Sequence, residues 1–269
     1  MIQVDLKKCV GCGSCARDCI EKRLWVENGT VQMTQELSCI QCGHCVAVCP
    51  TGAISIPEYD MDEVEPVSGG ISELRPDVLL RAIKSRRSIR HFQDKPVDMA
   101  DIEQIVAAAR YTPTGSNRQG VEYILVQERI PELIRTTLSV LTGIPQNPPT
   151  GVSGYLIDRY RDRWPEMERS YLEQGTDPLF YRAPAVLVFT GTNVIDTALA
   201  ASNAELMVHA LGLGCVYVGF MEIAGKTDRI REFFSLEQGR ELVCCLAIGH
   251  PDIHFFRTAP RAQKKLRLM

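Results

Sequence analysis

The sequence predicts an α+β protein in two parts: a small cysteine-rich module at the N-terminus, then a larger domain with a β-sheet flanked by helices. Three observations predict it. Eight of the eleven cysteines are confined to residues 9–49. An acidic stretch with Pro66 and the Gly69-Gly70 pair follows at residues 59–76. Beyond it, helical apolar periods alternate with β-rich runs. At 269 residues the chain exceeds a lone metal-binding module and suits one short module plus a domain of ordinary size. Hydrophobic residues make up 45% and charged residues 23%, which supplies a real apolar core. The net charge of −3 lacks the positive excess that contact with phosphate backbones needs, so no nucleic-acid partner is expected. No run approaches the roughly 18 consecutive apolar residues of a membrane span. Residues 1–8 lack the charged-then-apolar order of a secretory signal. The expectation is a cytoplasmic protein with no membrane attachment.

The module is defined by Cys9, Cys12, Cys15, Cys19 and by Cys39, Cys42, Cys45, Cys49, two runs of C-x2-C-x2-C-x3-C in which every cysteine repeats at an offset of 30. Three thiolates at this spacing wrap three irons of one [4Fe–4S] cube, while the fourth, a helical turn later, points to the neighbouring cube. Ligation is therefore expected to cross over. Cluster one takes Cys9, Cys12, Cys15 and Cys49, and cluster two takes Cys39, Cys42, Cys45 and Cys19. Gly11, Gly13, Ser14 and Gly43 are small enough for backbone amides to approach the sulfides. Zinc sites would prefer two separated cysteine pairs without a fourth cysteine in a repeat.

Residues 24–26 and 30–33 flank Glu27-Asn28-Gly29, where Asn-Gly suits a tight hairpin, and residues 53–56 read as a returning strand. In motif, order and internal pseudo-symmetry, residues 1–58 resemble the bacterial two-cluster ferredoxins. Ile20 follows the first run where those proteins often have proline.

Residues 59–76 form the expected linker. In the larger domain, residues 77–269, Asp77 is expected to cap a helix with Val78, Leu79, Ala82 and Ile83 on one face. Asp98 is expected to cap a second helix with Ile102, Ile105, Val106 and Ala109 inward. A turn-rich loop over residues 111–120 then leads to a strand at 121–126. Arg86, Arg87, Ser88 and Arg90 gather guanidinium and hydroxyl donors that suit a phosphate; a solvated basic helix end is the bland alternative.

The order of motifs decides between them. Arg86-Arg87-Ser88-x-Arg90-x-Phe92, Pro113-Thr114-Gly-Ser-Asn117-Arg-Gln119, then Asp196, Asn203 and Leu211-Gly-Leu-Gly-Cys215-Val-Tyr-Val218-Gly219-Phe220, and finally Ala247-Ile-Gly-His-Pro251 with a basic tail resemble the FMN-dependent nitroreductase family over residues 77–262. The resemblance implies a mixed β-sheet flanked by helices, a homodimer, and FMN at the subunit interface. Arg86, Arg87, Ser88 and Arg90 would then hold the FMN phosphate and ribityl chain. Pro113, Thr114, Asn117 and Gln119 would line the isoalloxazine ring, Val218 and Gly219 would approach N5, and Arg261 would add a phosphate contact. The family usually has Ala-Pro-Ser where this chain has Thr112-Pro113-Thr114. Residues 144–182, rich in proline, glycine and aromatics, vary in the family and are expected to form a lid. Residues 198–211, apolar on more than one face, suit a helix packed against a partner subunit.

The remaining features have plainer readings. Cys215, Cys244 and Cys245 sit in apolar surroundings as small buried hydrophobes. Glu205 and His209 read as a helix surface pair, and His250 and His254 lack a metal-ligand pattern. Gly212 and Gly214 do not complete a dinucleotide fingerprint. The expected function is an oxidoreductase passing single electrons from the clusters to FMN and a hydride from flavin N5 to a flat, electron-poor acceptor such as a nitroaromatic or quinone, with no protein nucleophile. Its donor is expected to be a ferredoxin or NAD(P)H. An electron-transfer module serving a partner protein and a cofactor-modifying flavoenzyme are the alternatives.

Overall fold

In the computed structural model, residues 2–34, 39–67, 74–144 and 154–269 are described, excepting the side chains of residues 154–156. Parts of the expected linker (68–73) and lid (145–153) lie outside the described residues. The chain divides into two compact units: Met1–Glu73 with Thr114–Arg118, and Leu74–Pro113 with Gln119–Met269.

The first unit runs β1 (Gln3–Val4), α1 (Ser14–Asp18), β2 (Leu24–Glu27), β3 (Thr30–Met33), α2 (His44–Ala47) and β4 (Ile54–Ser55). β2 and β3 pair antiparallel in the expected hairpin, with Asn28 at φ 51° and Gly29 at φ 75° making the turn. The returning strand β4 pairs with β1, closing the unit end to end. Its small core is Ile2, Leu24, Val31, Ile54 and Ile56 with the sulfurs of Cys15 and Cys45. A core this small needs a further staple, of which bound metal is one kind.

The second unit begins with α3 (Pro76–Ser85) and α4 (Met99–Arg110). β5 (Glu122–Val126), α5 (Ile130–Thr142), α6 (Gly154–Tyr160), α7 (Trp164–Gln174), β6 (Ala185–Gly191) and α8 (Val194–Ala210) follow. It ends with β7 (Gly214–Tyr217), α9 (Gly219–Ala224), α10 (Asp228–Phe233) and β8 (Glu241–Gly249). The strand order is β5-β6-β8-β7. Pairings between these strands are antiparallel, and the parallel component is a bridge from Ser88 to Cys215.

Every residue of β6 is buried, which requires apolar cover on both faces, and alternation along the strand shows how it is divided. Ala185, Leu187 and Phe189 join Leu246 and Ile248 of β8 beneath α4 and α8. Val186 and Val188 join Cys245 and Ala247 beneath α5, α7 and α9. Cys244 and Cys245, neighbours in β8, thus enter opposite cores, which is how both are buried. The alanines of α8 (Ala200, Ala201, Ala204) are fully buried and let α8 lie close on the sheet. Trp164 and Phe180 of the expected lid are completely buried against the second core. Among the described residues, no helix is long and apolar enough to cross a membrane.

α3 departs from expectation at its start. Arg75 is the N-cap and Pro76 occupies the first turn, where a missing N–H costs nothing, while Asp77 pairs with Arg75 at 2.8 Å. Its apolar residues Val78, Leu79 and Ile83 are exposed. Asp98 does stand at the N-cap of α4, without a side-chain capping bond, and Ile102, Ile105 and Ala109 are buried as expected.

Leu246, fully buried in mid-strand, is the sharpest test of this packing. Leu246→Ala should lower unfolding stability by about 3 kcal/mol, through lost transfer energy and a residual cavity. An unchanged urea midpoint would show that the site is not close-packed.

Candidate functional site

The cysteine loops depend on left-handed backbone. Gly13 and Gly43, at φ 75° each, cap α1 and α2, so the two runs are built alike and start each short helix just before its third cysteine. Gly11 stands at φ 64°, and a Cβ there would lie 2.1 Å from the Gly29 carbonyl oxygen, so only glycine fits. Its counterpart in the second run, Gln41, takes the same hand at φ 50° with a full side chain.

A cavity of about 330 Å³, open solvent included, is lined by Cys9, Cys12, Cys15 and Cys49. The last sulfur of the second run therefore faces the first three of the first. Cys49 Sγ accepts from the Ala53 N–H at 3.2 Å and lies 3.7 Å from the Thr51 hydroxyl. Although burial pushes the Cys49 thiol up, the amides of Ala53 and Thr51 hold it below its ordinary value. The Ser14 amide and hydroxyl lower Cys12 likewise. In the other group, burial pushes Cys45 up to about 11, reinforced by Cys42, Cys39 and Cys19. Amides again point at sulfur: Arg23 N–H to Cys19 at 3.4 Å and Gln41 N–H to Cys39 at 3.4 Å. Among the described residues, no three His, Cys, Asp or Glu side chains converge tightly enough for a single metal ion. A cube differs in requiring its thiolates spread around a box, and the sulfur-lined cavity with its N–H···S donors fits that demand.

In the second unit, a cleft of about 720 Å³, open solvent included, is lined by Arg86 and Arg87 together with Ser85, Glu205, His209 and His254. Arg86 forms an ion pair with Glu205, whose side chain is only 10% exposed. Burial pushes the Glu205 carboxyl up, and the Arg86 guanidinium pulls against it. Burial also lowers His209, with the Arg86 charge adding to the effect, and its Nε2 lies 3.1 Å from the Ser85 hydroxyl. Arg87 donates to the Lys84 carbonyl at 2.7 Å, but its Nε is buried without a partner among the described residues. An unsatisfied buried cationic donor is costly, and an anion at the cleft would satisfy it.

The other expected residues fall in several places. The segment after α3 is drawn beside β7 by the Ser88 bridge and by the Ile89 N–H donating to the Cys215 carbonyl at 2.9 Å. Alternation along such an extended segment puts Arg86, Ser88 and Arg90 on one side. Arg90 sits 5.8 Å from the centre of the Tyr181 ring. Pro113 is held through Thr112, whose hydroxyl accepts from Asn203 at 2.7 Å. Gln119 stands at φ 48°, next to Gly120, whose carbonyl accepts from Arg240 at 3.0 Å. Thr114 and Asn117 belong with the first unit, where the Asn117 amide donates to the Ile40 and Gln41 carbonyls. The Val218 N–H is used by the Cys245 carbonyl, and Gly219 begins α9 with an amide that the helix does not need. Arg261 lies in the exposed tail and is not among the residues lining the cleft.

Sequence reasoning missed Glu205 and His209 as cleft residues. They are four apart on α8, but each turns to a partner in the Ser85-Arg86 segment rather than to the other, so the expected surface pair is not formed. The available signal was a carboxylate in the middle of a helix otherwise apolar on most sides. Cys215, Cys244 and Cys245 are buried as expected. Burial raises the first two thiols to about 12 and the third further.

Comparison with known proteins places this geometry. Residues 83–250 match the nitroreductase family, and residues 8–54 match the 4Fe-4S dicluster domain. A putative NADH dehydrogenase/NAD(P)H nitroreductase of Methanothermobacter thermautotrophicus is 26% identical over 69% of this chain and 82% of its own length. An oxygen-insensitive NADPH nitroreductase of Salmonella typhimurium is 30% identical over 61% of this chain, which spans 62% of that relative's length. A nitroreductase with bound FMN from Bacteroides fragilis shares the fold, with a TM-score of 0.58 and 17% identity over 71% of this chain and 98% of its own.

Thiol reactivity should follow the burial pattern. In demetallated protein at pH 8, alkylation should reach the eight cysteines of the first unit first. Cys215, Cys244 and Cys245 should stay unmodified until denaturant is added, since a thiol near 12 is ionised at roughly one part in ten thousand at that pH. Mass mapping that found Cys245 modified in the folded protein would contradict the two-faced core.

Proposed function

Because the chain belongs to the nitroreductase family, we propose that this nitroreductase-type oxidoreductase takes single electrons through two [4Fe–4S] clusters and delivers them in pairs from FMN to an electron-poor small molecule, a nitroaromatic or quinone. The observation that carries the reading is the cavity in which Cys49 of the second run joins Cys9, Cys12 and Cys15 of the first. Crossed ligation of that kind belongs to two-cluster modules. Cys39, Cys42, Cys45 and Cys19 would be the corresponding ligands of the second cluster, in keeping with the charges of Cys42, Cys39 and Cys19 all bearing on Cys45. When bound, the clusters supply one electron at a time and FMN supplies the conversion to hydride at N5.

The protein's own residues bind and orient. Arg86 and Arg87 would take the phosphate of FMN, as the unpartnered Nε of Arg87 and the size of the cleft support. Glu205 holds Arg86 in place. Ser88 and Arg90 would face the ribityl chain, with Arg261 of the tail as a further phosphate contact. Pro113 and Gln119, fixed through Thr112 and Gly120, would border the ring, and the Gly219 amide would approach N5. A homodimer is the assembly we propose. Val78, Leu79 and Ile83 of α3 and Val194, Ile195 and Leu199 of α8 are exposed in the single chain, and a second copy would cover them. The names of the relatives favour NAD(P)H as a second electron source beside a ferredoxin.

Two results test this. Arg86→Ala should weaken FMN binding about 10- to 100-fold, the worth of roughly 1.5–3 kcal/mol for a bond to a charged group; an unchanged fluorescence titration would remove Arg86 from the site. Anaerobically purified full-length protein should carry two cubes' worth of iron and sulfide and one FMN per chain. Removing the clusters should then abolish turnover driven by reduced ferredoxin. Undiminished ferredoxin-driven turnover after cluster removal would overturn the relay.

A further inference from the structure

The two cysteine runs repeat at an offset of 30, yet they solve one backbone problem differently. Between the first and second cysteines of each run the chain must turn with a left-handed residue. In the first run it is Gly11, which has no Cβ and holds φ 64° without penalty. In the second it is Gln41 at φ 50°, a hand that the Cβ of a side chain makes unfavourable. Such a conformation persists only where surrounding contacts over-determine it.

Asn117 supplies those contacts. Its side-chain NH₂ donates to the carbonyl of Ile40 at 3.0 Å and to that of Gln41 at 2.9 Å, with the Tyr59 hydroxyl at 3.5 Å. Two good acceptors engage both of its hydrogens. The carbonyls so held bracket the strained residue. The same residue's N–H points at Cys39 Sγ, 3.4 Å away. Asn117 itself is left-handed at φ 53°, after Ser116 at φ 52°, a pair of turns that brings the amide to bear on the loop.

Resting on the two-cluster reading above, we infer that Asn117 is a positioning residue for the second cluster: it clamps the Cys39–Cys42 loop in the left-handed turn that Gln41 alone would not keep, and so maintains the Gln41 N–H donated to Cys39 sulfur. A hydrogen bond to a ligating thiolate favours the more negative, reduced cluster, so losing it lowers the reduction potential. Loss of the clamp acts on one cluster because the first run, with glycine at the equivalent place, needs none.

The test uses the full chain, purified anaerobically, with both reductive transitions followed by EPR-monitored redox titration and iron counted per chain. Asn117→Gly removes the amide without opposing the left-handed backbone, and Asn117→Asp keeps the shape but turns acceptors toward two carbonyls. Each should move one transition to lower potential and leave the other in place. Adding Gln41→Gly to Asn117→Gly should bring the displaced transition back toward its original value, because glycine restores the turn without a clamp. Two unmoved transitions, equal movement of both, or no recovery with Gln41→Gly would overturn the clamp while leaving the two-cluster reading intact. A wild-type protein without two cubes' worth of iron would overturn both.

Discussion

On the two-cluster reading, eight sulfurs have to be presented to two cubes by a unit whose apolar core amounts to a few side chains, and this constraint shapes everything in the N-terminal unit. Metal–thiolate bonds can supply the stability that burial of Ile2, Leu24, Val31, Ile54 and Ile56 does not. The backbone must therefore bend wherever sulfur geometry demands it. Left-handed residues at Gly11, Gly13, Gln41 and Gly43 are that bending, and the N–H groups of Arg23, Gln41 and Ala53 aimed at sulfur are its electrostatic counterpart. Cys49 facing the cavity of the first run ties the two halves of the repeat into one object. With crossed ligation, neither run completes a set of four ligands by itself.

The second unit obeys a different physics. Its stability comes from a sheet covered on both faces, where strand alternation sends Cys244 one way and Cys245 the other. Such a platform is stiff, and the cleft is assembled on its margin: the end of α3, one side of α8 and the start of β7 bring Arg86, Arg87, Glu205 and His209 together. Glu205 is tolerated on a buried helix face because Arg86 pairs with it. That arrangement leaves Arg87 with an Nε unsatisfied among the described residues, the feature of this cleft that most strongly calls for an anion.

Much of this was legible in the amino-acid sequence. The hairpin at Asn28-Gly29, the helix after Asp98, the long helix ending near Leu211 and the burial of the last three cysteines follow from local chemistry and periodicity. Other expectations met competing effects. Asp77 was displaced as a cap because Pro76 already fits the first turn and Arg75 offers Asp77 a charge partner. Glu205 and His209 have the spacing of a helix pair, yet α8 turns both toward the Ser85-Arg86 segment instead of leaving them to meet at the surface. Helical spacing says which residues share a face; it does not say what that face meets.

By itself, the sequence determined the paired cysteine runs and the family, because both rest on short-range spacing and on the order of short motifs. Tertiary structure alone decided which side chains meet across the chain. Asn117, which the resemblance assigned to a flavin ring, sends its amide to carbonyls 76 and 77 residues earlier. Arg86 finds its carboxylate 119 residues later. Hydrogen bonds and ion pairs at such separations leave no periodic trace in the sequence, since their partners are chosen by how packed elements come to rest and not by the residues beside them.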